Sequence, residues 1–170
     1  MCKLILPLSL LVFTAFASAQ KASPAASAEC KFPDGKTIHV DYSSPRAKGR
    51  KIFGGLVPYG KVWRTGADDA TTFVSTANLS VGGKAVPAGN YTIFTVPNPD
   101  KWTLIVNKKT GEWGIPYKYE ADELVRTDMS AGKTPGMVEN FTISFDQSGK
   151  KCTLRMEWEN TRAWVDITEK

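Results

Sequence analysis

Apolar and polar residues alternate with a period of two along much of the chain. The alternation is clearest in TIHVDY at residues 37–42, FTISF at residues 141–145 and CTLRMEW at residues 152–158. Successive side chains of a β-strand point to opposite faces of the sheet, so this period indicates strands with one buried face and one solvated face. A last stretch of the same kind, AWVDIT, covers residues 163–168.

Two neighbouring stretches are apolar at nearly every position. They are YTIFTV at residues 91–96 and WTLIV at residues 102–106. Such runs are typical of central strands that are covered on both faces. The dipeptide Gly82-Gly83 lies between two further short apolar stretches and predicts a tight hairpin.

The whole pattern predicts an all-β fold. About nine strands, with turn residues roughly every eight to twelve positions, are typical of an antiparallel β-sandwich. We expect a jelly-roll-like arrangement with at most one short helix or turn, near residues 119–126. Residues 30–170 would form a single domain, and the small polar residues at 20–29 would form a flexible lead-in.

The first nineteen positions have the pattern of a signal peptide. Lys3 precedes an apolar run at residues 4–16, and Ala-Ser-Ala at residues 17–19 is a small-residue cleavage site. The apolar run is short for a membrane span, although an uncleaved anchor remains the alternative. We therefore expect a signal peptide at residues 1–19 and an exported bacterial protein, either periplasmic or extracellular, with no membrane span after cleavage.

Cleavage would remove Cys2 and leave two cysteines, Cys30 and Cys152. An exported protein with two cysteines most simply forms one disulfide, with two free thiols as the alternative. The bridge would close almost the whole domain. In the chain-entropy model, a disulfide that closes a loop of this length stabilises the folded state by about 4–5 kcal/mol, before native strain is subtracted.

Charge and motif content exclude several classes of function. The formal net charge is +5 at pH 7, without a block of five or six like charges, which does not indicate a nucleic-acid partner. The chain has one histidine, His39, and lacks the zinc-protease, nucleophile-elbow, P-loop and dinucleotide motifs. We therefore expect no cofactor and no metal site; the oligomeric state stays open.

Residues 43–72 combine basic, acidic, aromatic and turn-forming residues within one short segment. The segment reads SSPRAKGRKIFGGLVPYGKVWRTGADDATT, and glycines and prolines separate its short apolar pieces. This composition predicts ordered loops, which often carry binding sites when a rigid scaffold positions them. The segment also holds a basic cluster, whose members are Arg46, Lys48, Arg50, Lys51, Lys61 and Arg64.

These residues suggest a non-catalytic binding module for a small anionic or carbohydrate ligand. The arginine fork suits carboxylates and phosphates, and an aromatic face can stack against a sugar ring. The candidate ligand-binding residues are Arg46, Arg50, Tyr59, Trp63, Arg64, Asp68, Asp69 and Trp113. The structural alternatives are that Arg50 or Arg64 pairs with the aspartates and that the tryptophans, Trp63 above all, pack in the core.

Two other functions remain open from the sequence. A glycan hydrolase would need two carboxylates across a cleft, and its candidates are Asp68, Asp69 and Glu123. A structural or envelope-interaction protein would need a broad exposed apolar patch or an unpaired edge strand. We assign no catalytic residue and lean towards a protein that is not an enzyme.

Three ordered runs resemble a known family. They are GRKIFGGLVPYGKVWRTGADDATT at residues 49–72, VGGKAVPAGNYTIFTVP at residues 81–97 and WTLIVNKKTGEWG at residues 102–114. They look like the bacterial exported family catalogued as domain of unknown function 2911. The resemblance implies export and a β-rich fold. It does not indicate an activity, because the family has no established one. The matching signature positions are Gly49, Arg50, Phe53, Gly54, Pro58, Gly60, Trp63, Arg64, Gly66 and Ala67.

Overall fold

The protein is an antiparallel β-sandwich in the computed structural model, which describes residues 23–170. The predicted signal peptide at residues 1–19 lies outside the described residues. Nine strands are present in the described part: β1 Ala25–Lys31, β2 Thr37–Ser43, β3 Thr72–Ser75, β4 Leu79–Val81, β5 Lys84–Val86, β6 Gly89–Val96, β7 Lys101–Asn107, β8 Glu123–Ser148 and β9 Lys151–Glu169. The predicted all-β class is confirmed.

All nine strands belong to one sheet, in the order β1-β2-β3-β6-β7-β8-β9-β4-β5. The long strand β8 joins the two layers because its first part pairs with β7 and its later part pairs with β9. The β8–β9 register shifts between Lys133 and Val138 and again before Thr142. Bulges of this kind bend a strand and increase its twist, which lets one sheet fold over itself.

Contacts between the layers involve β2 and the later part of β8. The backbone N–H of Ile143 donates a hydrogen bond of 3.0 Å to the Tyr42 hydroxyl, and the Tyr42 and Phe141 rings meet edge to face at 5.6 Å. The core between the layers holds the alternating residues predicted from sequence. Ile38, Val40 and Leu154 are each fully buried.

Strands β6 and β7 are covered on both faces, as their apolar runs predicted. One face packs in the main core through Ile93 and Leu104. The other face forms a small second cluster of Ala70, Phe94 and Ile105, which Val62, Val96, Tyr117 and Tyr119 cover. The loop after β7 therefore covers part of the outer face of the sheet.

The disulfide between Cys30 and Cys152 is present, and both cysteines are buried. It joins β1 in one layer to the first residues of β9 in the other. The Gln147 side chain donates a hydrogen bond to the carbonyl oxygen of Lys31 beside it. The predicted pairing is confirmed, and it fastens the edge strand β1 to β9, which lies six positions away in the strand order.

One sequence expectation needs correction. The flexible lead-in is wrong for residues 25–29, because Ala25–Lys31 forms β1 and pairs antiparallel with β2 along its whole length. The ladder satisfies the backbone of these small residues, which the composition alone did not indicate. The predicted short helix or turn near residues 119–126 is confirmed as a 3-10 turn at Glu120–Asp122, and β8 begins directly after it.

Within residues 23–170, no helix has the length and hydropathy of a membrane span. The same residues contain no group of three or more histidine, cysteine, aspartate or glutamate side chains placed to hold a metal ion.

Candidate functional site

The segment of residues 43–72 is ordered because backbone hydrogen bonds tie it to the sheet. The N–H of Trp63 donates to the carbonyl of Thr95 at 2.7 Å, and the N–H of Thr95 donates back at 2.9 Å. Gly60 donates to the carbonyl of Pro97 at 2.9 Å. The segment thus runs beside the second half of β6, where the short strand β3 provides no partner.

A turn at residues 45–50 positions the first part of the basic cluster. The N–H of Ala47 donates to the carbonyl of Glu139 at 2.8 Å, and the N–H of Lys48 donates to the Glu139 carboxylate at 2.9 Å. Lys48 and Gly49 both have a positive φ, of 49° and 68°. This left-handed pair reverses the chain, so Arg50 returns towards Arg46.

A second turn, at residues 52–57, presents an apolar side chain to solvent. Ile52, Phe53 and Val57 are buried, and Val57 donates a backbone hydrogen bond to Ile52 at 2.9 Å. The Glu159 carboxylate accepts a further hydrogen bond from the N–H of Ile52. Leu56 lies at the tip of this anchored turn and is 49% exposed.

These turns enclose a cavity of about 580 Å³ together with residues from the loop after β7 and from β9. We call it the basic cavity. Its described lining residues are Ser23, Pro45, Arg46, Lys48, Arg50, Leu56, Val57, Pro58, Lys61, Val62, Trp63, Arg64, Gly66, Ala67, Ile115 and Trp158. The cavity thus combines residues that are distant in sequence.

Five of the described lining residues are cationic and none is acidic. The Arg46 guanidinium donates to the carbonyl and the hydroxyl of Ser44, at 2.7 and 2.8 Å. The Arg50 guanidinium donates to the carbonyls of Ala47 and Arg46, at 3.0 and 2.6 Å. Neutral acceptors therefore orient both forks without cancelling their charge, and the predicted pairing of Arg50 with an aspartate is not the arrangement found.

Arg64 is held by an aromatic ring. Its guanidinium carbon lies 4.6 Å from the centroid of the Trp113 ring, and one of its N–H groups reaches the Trp113 carbonyl at 3.4 Å. Partial burial lowers the pKa of Arg64, although Asp68 and Asp69 act in the opposite direction. A lowered pKa means that the charged form is incompletely solvated, so a bound anion would relieve part of that cost.

Trp63 and Trp158 form the floor of the basic cavity. Their rings stack at 6.0 Å with an interplanar angle of 17°, and Trp63 also meets the ring of Phe53 edge to face. Trp63 is only 8% exposed, and its indole N–H donates to the carbonyl of Gly66 at 3.0 Å. Trp63 is therefore a core residue with one edge at the cavity, rather than an exposed ring on which a sugar could stack.

The structure places the other candidate residues outside the lining. Tyr59 is 41% exposed, and its ring lies against Gly54 so closely that a Cβ at that glycine would collide with it. Asp69 borders a separate groove between β1, β2 and β3. Asp68 and Trp113 are not among the described lining residues, and both act on the lining residue Arg64.

Leu56, Ile115 and Trp158 are among the lining residues that the sequence did not single out for binding. Ile115 lies in the loop after β7, next to the candidate Trp113, and Leu56 follows two glycines. Both are large apolar residues among turn-formers, and this signal could have identified them. Trp158 belongs to a regular strand pattern, and nothing in the sequence distinguishes it from other core residues.

The hydrolase candidates do not face one another across the basic cavity. Glu123 accepts hydrogen bonds from Arg126 at 2.5 Å and from the Tyr117 hydroxyl at 2.6 Å. Partial burial acts to raise the pKa of Glu123, but these two hydrogen bonds outweigh it and hold the pKa below its usual value. A general acid for glycoside hydrolysis needs the opposite shift.

The comparisons with known proteins find one match. A model of the family described as protein of unknown function (DUF2911) matches residues 23–167. This range includes the basic cavity and all but the last two residues of β9. Neither the curated proteins nor the solved structures contain a match.

Proposed function

The chain belongs to the DUF2911 family of proteins of unknown function, and we propose that it is an exported, non-catalytic binding module for a small anionic ligand. The ligand occupies the basic cavity. The observation that carries the proposal is the composition of the described lining, with five cationic residues and no carboxylate in about 580 Å³. Cavities of this size are typical of small-molecule sites.

The arginines support an anionic ligand more than a neutral one. Arg46 and Arg50 are oriented by carbonyl and hydroxyl oxygens, and Arg64 is oriented by the Trp113 ring. Guanidinium groups that are already oriented, as Arg46 and Arg50 are by neutral acceptors, can bind a carboxylate or phosphate at a small entropic cost. Neutral carbohydrate has less support, because the Trp63 ring is packed and Arg64 covers a face of Trp113.

Export is part of the proposal. The signal-peptide pattern at residues 1–19 directs the chain out of the cytoplasm, and the Cys30–Cys152 disulfide fits an oxidising compartment. Periplasmic and extracellular locations are both compatible with these features. Fractionation of producing cells, with the N-terminus of the secreted form determined by mass spectrometry, tests this part.

Ligand binding is tested by calorimetry and by thermal shift on the purified protein. The ligands are a carboxylate, a phosphate, a sulfate, a sugar acid and the matching neutral sugar. A ligand that binds only the folded state raises the melting temperature by mass action. We expect shifts with the anions and a smaller shift, or none, with the neutral sugar.

Two lysine variants assign the site. Lys61→Ala removes a cation from the lining, and we expect it to weaken anion binding at least several-fold. Lys101→Ala is the control, because Lys101 is exposed on β7 and pairs with Asp128 outside the cavity. Equal anion binding by both variants and the unchanged protein, or no anion binding at all, would refute the proposed site.

A further inference from the structure

Exposed apolar side chains are concentrated around the basic cavity. The described residues include five large hydrophobic residues that are substantially exposed, and four of them lie in the segment of residues 43–72 or in the loop after β7. The five are Leu56, Tyr59, Trp113, Ile115 and Met137. Leu56 and Ile115 belong to the lining itself, with 49% and 40% of their surfaces exposed. A cluster of this kind often marks a binding surface.

The apolar surface continues from the rim into the cavity. The apolar lining inside the rim is formed by Val57, Val62 and the edge of Trp63. Trp158 completes the floor of the cavity. A simple inorganic anion would contact the cations and leave this surface against water. Only a ligand with an apolar body would remove it from water, which is the favourable part of binding for such groups.

The cations and the apolar residues alternate along the same short segment. Leu56, Val57 and Pro58 lie between Arg50 and Lys61 in the sequence, and all five line the cavity. Charged and apolar groups are therefore available to one ligand at the same time. This arrangement matches a molecule that is anionic at one end and apolar at the other.

We propose that the ligand is a small amphiphilic anion, with an alkyl or aryl body and a single carboxylate or phosphate head. This inference rests on the proposed anion-binding function and names its ligand class. The head lies among the lining cations Arg46, Arg50, Lys61 and Arg64, and the body lies along Leu56, Ile115 and the tryptophan floor. The cavity volume of about 580 Å³ is within the range of sites that bind single small molecules, which favours a free amphiphile as the ligand.

A homologous series tests the apolar half of the inference. Calorimetry compares butyrate, hexanoate and octanoate, all below their micelle-forming concentrations, with octyl phosphate, inorganic phosphate and glucuronate. Each fully buried methylene is expected to raise the affinity about fourfold, so octanoate, which has four more methylenes, should bind roughly 200-fold more tightly than butyrate. Octyl phosphate distinguishes a phosphate head from a carboxylate head.

Matched variants locate the apolar body. Leu56→Ser and Ile115→Ser should each reduce octanoate affinity several-fold and leave butyrate affinity nearly unchanged. Met137→Ser is the control, because Met137 is 54% exposed and lies outside the cavity lining. Lys61→Ala should weaken octanoate and butyrate alike, because both ligands carry the same head.

The outcomes separate the inference from the proposed function. If glucuronate or phosphate binds in a Lys61-dependent manner and octanoate binds no more tightly than butyrate, the inference fails and the proposed function stands. If no anion binds, both fail. A chain-length gain that Leu56→Ser, Ile115→Ser and Met137→Ser affect equally would place the apolar body elsewhere and overturn the inference. Binding to vesicles with an anionic phospholipid, without binding of soluble octanoate, would overturn it in favour of a membrane surface.

Discussion

The guanidinium of Arg64 stacks on the ring of Trp113, with 4.6 Å between the guanidinium carbon and the ring centroid. Arg64 follows the buried Trp63 and is anchored to the sheet, whereas Trp113 is 55% exposed in the loop after β7. This contact, together with the hydrogen bond from Arg64 to the Trp113 carbonyl, connects the two loops that border the basic cavity. A cation above an aromatic face keeps its charge available to an anion on its other side.

Trp113→Ala should loosen Arg64 and weaken anion binding. A partly exposed cation–π contact contributes about 0.5–1 kcal/mol, so we expect a similar loss of stability and a several-fold loss of anion affinity. Trp113→Phe keeps an aromatic face and should retain most of both. Chemical denaturation and calorimetry measure the two quantities. Unchanged anion affinity in Trp113→Ala would mean that the ring does not position Arg64 for binding.

Gly114→Ala should destabilise the same loop more than Gly111→Ala does. Both glycines have a positive φ, of 88° and 74°, so an added Cβ strains the backbone at either position. At Gly114 the new Cβ would also lie 2.9 Å from Ala70 and 3.0 Å from Phe94, whereas at Gly111 it meets open space. We expect a loss of about 1 kcal/mol at Gly111 and of more than 2 kcal/mol at Gly114. Equal losses in urea denaturation would show that the packing contact is unimportant.

Removal of the disulfide should lower stability without changing the fold. The two cysteines are separated by 122 positions, and the chain-entropy model gives a loss of about 4–5 kcal/mol for a loop of this length. The double variant Cys30→Ser with Cys152→Ser is compared with the unchanged protein in denaturant. Reductant should lower the midpoint of the unchanged protein and have no effect on the variant. A midpoint that is the same in all four samples would contradict the prediction.

Truncation of Trp63 in the cavity floor should lower the free energy of unfolding. Trp63→Ala removes a ring that contacts Phe53, Phe141, Trp102 and Trp158, and we expect a loss of about 3–5 kcal/mol. Trp63→Phe should lose less, because it keeps an aromatic ring but not the hydrogen bond to Gly66. Thermal and chemical unfolding measure the loss. A small effect of Trp63→Ala would show that the cavity collapses around the missing ring.

Glu123 should contribute a pH-dependent part of the stability. Its pKa is lowered in the folded protein, because the hydrogen bonds from Arg126 and Tyr117 outweigh the effect of burial. A group whose folded pKa lies below its unfolded pKa stabilises the protein above the unfolded value, and this contribution is lost as the pH falls through the folded pKa. The free energy of unfolding should therefore decrease as the pH is lowered below about 4.5, and it should decrease less steeply in Glu123→Gln. Identical pH profiles for both proteins would contradict the assignment.

Strand β1 shows where a reading of the pattern alone was insufficient. Ala26, Ala28 and Cys30 alternate with polar residues and pack on or in the main core, which is the period of a half-buried strand. Alanine and serine have a weak hydrophobic signal, so composition indicated an unstructured segment instead. The strand is stable because its backbone pairs with β2 and its cysteine is bonded to β9.

The sequence by itself determined the β class, the double coverage of β6 and β7, and the disulfide. These features follow from local periodicity and from the number of cysteines, and each needs only nearby residues or a simple count. It also identified the basic cluster of residues 46–64. Only the tertiary structure decided that five of these cations line one cavity and that Trp63 belongs to its floor. Leu56, Ile115 and Trp158 lie together there because the bent β8–β9 hairpin and the anchored loops bring distant segments together. A local sequence pattern does not predict contacts between segments that are far apart in the chain.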